Sequence, residues 1–528
     1  MDISQKAKLL RKWSLISTTE AGSGHPTSCL SAADVMAVLF DKYYSYDLQN
    51  PLRLENDRLI FSKGHAAPLF YALYAAAGAF PFEELKTLRK FSSRLEGHPT
   101  PHFPYTEAAT GSLGQGLSVG AGLAVGLQKE QDLLKKPHVF VLLGDGEIAE
   151  GQVWEAANFA SFNKLDNLIA IVDVNGLGQS QATMFGHDTD HYADRFRAFG
   201  WEAIVIDGHK YEEIDQAYQK VLQKDYVSYL MGAEKISNDD LLKLNVTIIE
   251  TLKNGHRKIK IPANVIDKYF ELLSDKMDSY FWNESLGLDM RLLFKHKDGT
   301  IEQFILNQQN AKQIYTYMQE FNNEPLVETD NYFSKVIDHW IDGADSLYVN
   351  YFKPKVIIAK TQKGEGVSFL ADKAGWHGKP ISQEDLKKAL AELGDVKDEV
   401  VFQLKKPVDF STGTHPLTPS AGGDKNTKHP LRGGVGVGYS IGEKVATREI
   451  YGKELALLGQ TDSRIVALDG EVKNSTFAID FMKAFPDRYI ECFIAEQNMV
   501  SVAVGLARLG KIPFVSTFAA FLSRACDQ

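Results

Sequence analysis

A lone acid, Asp145, stands between two glycines in the stretch GDG at 144–146, and one helical segment and one apolar run later the stretch LIAIVDVN at 168–175 ends in Asn175. Residues at the ends of two successive parallel strands share the sheet edge where ligands of such sheets bind. One carboxylate, one amide oxygen and a nearby backbone carbonyl make a hard oxygen set with few protein ligands. That suits Mg²⁺, whose octahedron is completed by water and diphosphate oxygens. Gly144 and Gly146 would let a diphosphate approach the backbone closely. A Gly-Asp-Gly triplet alone is more often a plain turn before a helix; the asparagine one βαβ unit downstream shifts the reading to a metal site.

The elements that must position this pair are legible in the apolar runs. VFVLLGD (139–145), NLIAIVDVN (167–175), EAIVIDGH (202–209) and KVIIAKTQKG (355–364) are continuous rather than alternating, as parallel strands covered on both faces should be. Val153, Ala156, Ala157 and Ala160 fall at helical spacing between the first two. The fold class expected is therefore α/β, with doubly wound parallel sheets. A helix over 211–223 should lead straight into the strand at Lys355, but residues 224–353 intervene. Within them, a Ser- and Asp-capped segment (237–255) predicts a helix, and Asp298-Gly299 between two alternating runs predicts a hairpin. The block reads as a small inserted α+β module. A helix is expected over 383–393. The domains expected are 1–223 with 354–402, the insert 224–353, a Gly/Pro/Ser/Thr-rich linker at 403–440, and a second strand–helix domain at 441–528.

Composition narrows the class. The chain has 528 residues, 44% apolar and 24% charged, with 58 basic against 68 acidic residues and a net charge of −10. This is no basic footprint for nucleic acid. No apolar run has membrane-span length, and the first residues, MDISQKAKLLRKW, lack the apolar core of a signal peptide. Cys29, Cys492 and Cys526 have neither metal-like spacing nor a disulfide framework, so a reducing, cytoplasmic setting is expected.

Further stretches carry a resemblance. GSGHPTSCLSAAD from Gly22, FSKGHAAPLFYALY from Phe61, TGSLGQGLSVGAGLA from Thr110, DKAGWHGKP from Asp372, DGEVKNSTF from Asp469 and IAEQNMVSVAVGLA from Ile494 follow in order. With the GDG…N pair, the sequence resembles the transketolases, thiamine diphosphate enzymes of the pentose phosphate pathway, outside residues 224–353. The resemblance implies two-carbon ketol transfer from a ketose phosphate of the xylulose 5-phosphate type to an aldose phosphate of the ribose 5-phosphate type. It also implies thiamine diphosphate with Mg²⁺ (Ca²⁺ or Mn²⁺ able to substitute) and a homodimer with active sites at its interface.

The same resemblance implies the roles. Asp145, Asn175 and the Leu177 carbonyl would bind the metal, and Gly146 would lie along the diphosphate. Gly111, Ser112, Leu113, Ser28, His65, Lys363 and Phe521 would contact the cofactor. His25, His98 and His377 would line the substrate channel, Arg448 and Ser475 would hold a sugar phosphate, and Glu496 would be the catalytic acid. A carboxyl in an apolar site, walled by Phe514, Phe518 and Phe521, holds its proton to raised pH, and imidazoles suit sugar hydroxyls because they donate or accept near neutral pH. Each has a plainer alternative: structural hydrogen bonding for the histidines, a solvated strand end for Lys363, a helix cap for Glu496 and a surface charge for Arg448.

Two departures from the family pattern are expected to matter. The insert joins a helix to a strand, which places it at the amino edge of the sheet, away from the chemistry. The chain stops at Gln528, before the family's second domain would be complete, which predicts little transfer by this chain alone and leaves a non-catalytic dimerisation or interaction module as the alternative reading. Dihydroxyacetone synthase and 1-deoxyxylulose-5-phosphate synthase are narrower rivals; GSGHPTS and WHGKP favour transketolase over the latter.

Overall fold

The computed structural model describes residues 1–130, 137–222, 353–407 and 443–528, and the backbone of 290–295 and 301–306. The chain divides into two compact units, 1–221 with 353–528, and 222–352.

The larger unit contains two parallel sheets. The first is ordered β1 (Arg58–Phe61), β2 (Val139–Gly144), β3 (Leu168–Val174), β7 (Lys355–Lys360), β4 (Glu202–Asp207), all parallel. Every residue of β1, β2 and β3 is buried, and β7 is buried up to Lys360. Each fully buried Val, Leu or Ile contributes roughly 1.5–3 kcal/mol. The strand β4 departs from the expectation of a covered strand: it pairs only with β7, forms the edge, and is mostly half-buried.

Helices α1 (Ile3–Ala21), α2 (Pro26–Val38), α3 (Ala67–Ala76), α4 (Gln115–Lys129), α5 (Gly151–Phe162), α6 (Thr189–Ala198), α7 (Tyr211–Val221) and α8 (Gln383–Leu393) pack around this sheet. Two of their starts shape the site. Pro26 opens α2, a place where its missing N–H costs nothing, and His25 stands just before it. Gly114, at φ 87°, ends the GSLG loop and caps α4. Ser382 accepts from Asp385 N to cap α8, whose bounds coincide with the sequence expectation.

The second sheet runs β10 (Ile512–Ser516), β8 (Ile465–Asp469), β9 (Tyr489–Glu491), again parallel. Its helices are α9 (Thr447–Thr461), α10 (Lys473–Thr476), α11 (Ala478–Ala484), α12 (Glu496–Arg508) and α13 (Ala519–Leu522). α12 crosses α4 with almost no space between backbones: a Cβ on Gly505 would lie 2.3 Å from the Val119 carbonyl oxygen, and one on Gly122 2.2 Å from that of Val502. Around the crossing, Leu123 and Leu127 share one apolar core with Val502, Leu506 and Leu509.

In the smaller unit, β5 (Met290–Lys295) pairs antiparallel with β6 (Ile301–Leu306). The expected Asp298-Gly299 turn, the helix at 237–255 and linker residues 408–440 lie outside the described residues.

Candidate functional site

Asp145 follows β2 and Asn175 follows β3, so adjacent strands deliver both to one carboxyl edge. Both are buried. The Asp145 carboxylate accepts from Gly146 N at 2.9 Å, Gly176 N at 2.7 Å and Thr183 Oγ1 at 3.1 Å. Burial and the nearby Asp173 charge push its carboxyl up. Asn175 Oδ1 accepts from Leu177 N at 3.3 Å, and the Leu177 carbonyl accepts from Lys363 Nζ at 2.6 Å. A carbonyl has two lone pairs, so this bond leaves one for a cation. Gly146 has an ordinary φ of −68°, and a Cβ there would meet only the Thr183 methyl at 3.5 Å. Neither its conformation nor its neighbours within the chain require glycine, which leaves space at the strand end for something outside the chain.

Beside this corner, three imidazoles cluster. The ring centres of His25 and His65 lie 4.9 Å apart, those of His25 and His377 5.0 Å, and those of His65 and His377 5.2 Å. Burial, then neighbouring positive groups, lower His25 to about 4 and His377 to about 3, and push His65 well below the ordinary histidine range. All three rings are therefore neutral near pH 7. Lys363 Nζ also reaches His377 Nδ1 at 2.9 Å; burial and Lys63 lower its ammonium to about 8. His98 packs against Gly111, where an added Cβ would stand 3.1 Å from the ring, and burial followed by Arg89 lowers its imidazole. The Ser28 hydroxyl, His25 Nδ1 and the Thr110 hydroxyl are buried without a partner among the described residues. Such groups are costly unless something satisfies them.

The remaining expected residues belong to the outer edge and the second domain. Ser112 Oγ donates to Asp527 at 3.1 Å, and Leu113 is exposed. Arg448 and Ser475 are brought together, the guanidinium donating to the Ser475 carbonyl at 3.4 Å. No described hydrogen bond or ion pair joins them to the imidazole cluster. Glu496 is buried at the first position of α12, with Ala495 as N-cap. Its carboxylate accepts twice from Arg524, whose guanidinium carbon lies 5.5 Å from the Phe521 ring. The apolar wall expected around Glu496 is not what encloses it in this chain. Phe518 and Phe521 are exposed and pack on each other at 5.3 Å, and Phe514 packs into the second sheet's own core.

Sequence reasoning passed over the polar groups behind the site. Lys63 and Asp173 form a buried ion pair, and Asp173 also accepts from Ser31, Thr361 and Asn175. Burial alone would raise the Asp173 carboxyl, but the Lys63 charge and these hydrogen bonds hold it below the usual range. Glu147, also buried, accepts from Ser62 Oγ, Gly114 N and Gly144 N, tying the GSLG loop to the GDG loop. The signal was present for one of the two: an acid inside the apolar run LIAIVDV is rare unless paired, whereas Lys63 lies two residues past the end of β1.

Residues 3–230 match the family model described as transketolase, thiamine diphosphate binding domain, and residues 443–528 match that of the transketolase pyrimidine binding domain. The chain belongs to the transketolase family. It is 36% identical to transketolase of Homo sapiens over 535 residues, covering 100% of this chain and 62% of that protein. It is 30% identical to transketolase-like protein 1 of Macaca fascicularis over 524 residues, covering 99% of this chain and 58% of that protein. The chain thus spans about three fifths of the length of the curated relatives it matches. Transketolase from Campylobacter jejuni has the same fold (TM-score 0.64, 22% identity, 99% of this chain and 67% of that one). So has Pichia stipitis transketolase in complex with sedoheptulose 7-phosphate (TM-score 0.61, 18% identity, 99% and 66%). The first domain is therefore a thiamine diphosphate-binding domain of the transketolase fold. No helix among the described residues is long and apolar enough to cross a membrane.

Proposed function

We propose that this chain is a transketolase that binds thiamine diphosphate with Mg²⁺ and transfers a two-carbon ketol unit between sugar phosphates. One observation carries this most: a buried oxygen set at adjacent strand ends stands beside a lysine, three neutral imidazoles, and buried hydroxyl and ring nitrogen atoms that lack partners. The donor set fits the implied group. Asp145, Asn175 Oδ1 and the Leu177 carbonyl offer the oxygen ligands Mg²⁺ takes, with positions left for water and diphosphate. Gly146 leaves room beside them, and Lys363, charged near neutral pH, faces the same corner.

When bound, thiamine diphosphate supplies the electron sink for breaking the bond between C2 and C3 of a ketose. The chain's own groups do the rest. Ser28 and His65, with the Gly111–Leu113 loop, bind the cofactor. His25, His98 and His377 orient substrate hydroxyls, and as neutral rings they accept or donate a proton without first losing one. Arg448, beside Ser475, holds the sugar phosphate by a charge-assisted hydrogen bond. Glu496 holds a proton at N1′ of the pyrimidine, exchanging its Arg524 partner for the ring, and Phe521 packs on the ring face.

Exposure of Ile494, Phe518, Phe521 and Leu522 on the second domain supports a homodimer whose partner covers this face. Three unpaired cysteines, two of them buried, support a cytoplasmic setting. The test is transfer from xylulose 5-phosphate to ribose 5-phosphate, with mass measured in solution by light scattering. Metal-dependent transfer by a dimer supports the reading; cofactor binding without transfer favours the interaction-module alternative.

A further inference from the structure

Asp173 stands two residues before Asn175 near the end of β3 and is no part of the ligand set proposed above. Oδ1 accepts from Thr361 Oγ1; Oδ2 accepts from Lys63 Nζ, from Ser31 Oγ at 2.6 Å and from Asn175 Nδ2 at 3.3 Å. The last of these decides something that shape alone cannot. A side-chain amide has two ends of nearly the same size and opposite polarity. Were Asn175 turned over, its oxygen would face the Asp173 carboxylate, acceptor against acceptor. Its NH₂ would then face Leu177 N–H, which now donates to Oδ1 at 3.3 Å, donor against donor. Two neighbours therefore impose one orientation, and it puts the amide oxygen on the side of the Leu177 backbone. A hard cation takes that oxygen and is repelled by the NH₂.

We propose that Asp173 is the positioning residue of the divalent-cation site: it fixes the Asn175 amide with Oδ1 available to the cation, and is itself fixed by Lys63, Ser31 and Thr361. This rests on the reading of Asp145, Asn175 and Leu177 as ligands. The plainer role for a buried carboxylate beside a buried lysine is to neutralise it. The two roles separate because neutralising Lys63 needs only a negative charge nearby, whereas orienting Asn175 needs an acceptor at this point.

The experiment is calorimetric titration of Mg²⁺ into the full chain in the presence of excess thiamine diphosphate, with the melting temperature of each apo protein. The variants are Asp145→Ala, Lys63→Met/Asp173→Asn and Lys63→Met/Asp173→Leu. Both double variants remove the two buried charges at similar volume, a change such pairs often tolerate. The Met/Asn pair keeps an amide oxygen to accept from Asn175 Nδ2, with the Thr361 hydroxyl free to accept from the amide NH₂; the Met/Leu pair removes the acceptor. Outer hydrogen-bond partners of metal ligands are worth about 10–100-fold in metal affinity, and that loss is expected for the Met/Leu pair, with its apo melting temperature near wild type, while the Met/Asn pair should bind Mg²⁺ nearly as the wild type does. A Met/Leu pair that binds Mg²⁺ as the wild type does, or a Met/Asn pair as weak as the Met/Leu pair, overturns the positioning role. If Asp145→Ala itself binds Mg²⁺ normally, the ligand reading falls, and the proposal with it.

Discussion

Arg524 donates from Nη1 to both carboxylate oxygens of Glu496, at 3.1 and 3.2 Å, while the arginine side chain is 58% exposed and that of the glutamate 4%. The pair is lopsided: the acid is enclosed, and its partner can swing into solvent. A ligand that offers Glu496 another hydrogen bond has only a half-solvated guanidinium to displace, while the enclosed carboxylate must keep a partner.

Glu496→Ala is therefore expected to leave the fold intact and to slow exchange of the C2 proton of bound thiamine diphosphate by about 10²–10⁴-fold, the usual worth of a positioned proton donor. Arg524→Ala should keep most of that exchange. Nuclear magnetic resonance of quenched exchange samples reads both. Normal exchange in Glu496→Ala would reduce Glu496 to an ordinary first-turn acid.

The imidazole cluster sets an acid limit on stability. Folded His25 is held at about 4 and His377 at about 3, and His65 and His98 are lowered as well. Unfolded histidines titrate near 6.5. As pH falls below that value the unfolded chain takes up protons that these folded rings refuse, so their contribution is present above about 6.5 and is lost as pH falls toward their folded values. His209 works the other way: burial lowers it, but Asp34 outweighs burial and raises it, so its contribution is present below 6.5 and is lost as pH rises through its folded value. Among the described residues, four lowered rings against one raised predict a falling melting temperature from pH 7.5 to 5.5, and a flatter slope in His25→Gln/His377→Gln. An unchanged slope in that variant would show that the rings are not held neutral by the fold.

At the crossing of α4 and α12, a Cβ on Gly505 meets Val119 O at 2.3 Å and Leu123 N at 2.6 Å. Both are backbone atoms, with no flexible side chain to yield. Gly505→Ala should cost about 1–3 kcal/mol, the usual range for overpacking, and lower the melting temperature. Gly151→Ala, where a Cβ meets nothing within 4 Å and φ is not left-handed, should stay within about 0.5 kcal/mol. Equal effects at the two positions would argue against tight packing of the crossing.

Much of this was legible in the sequence, and the reasons differ by element. β2, β3 and β7 bury nearly all of their residues, so their continuous apolar runs stand out; β1 is fully buried but only four residues long and was not read from the sequence, and β4 has a similar run but is mostly half-buried, which composition does not reveal. Asp145 and Asn175 were found because strand ends are predictable. Lys63 and Asp173 were not, because their partners come from β3, α2 and the segment after β7, far apart in sequence. Within this chain the partner of the Glu496 carboxylate is Arg524, with Phe518 and Phe521 exposed, because a sequence does not say which surface its phenylalanines face.

The insert offers a cleaner separation. Lys355 Nζ donates to the Val221 carbonyl at 3.1 Å, so the chain leaves and rejoins the larger unit at neighbouring points, at the amino end of β7. Asp145 and Asn175 stand at the carboxyl ends of β2 and β3. Replacing residues 224–353 by a short Gly-Ser linker should leave thiamine diphosphate affinity within about threefold, since closing two adjacent ends with a short loop costs little. A folded variant that binds at least about tenfold more weakly, 1.4 kcal/mol, would contradict this.

The central claim is that Asp145 anchors a divalent cation through which this chain holds thiamine diphosphate. Isothermal titration of thiamine diphosphate into the wild-type chain and Asp145→Ala, each with Mg²⁺ and with a chelator, tests it most directly. The account predicts binding by the wild type only when Mg²⁺ is present, and none by Asp145→Ala in either condition. Equal affinity in the two proteins, or wild-type binding unaffected by the chelator, would contradict it.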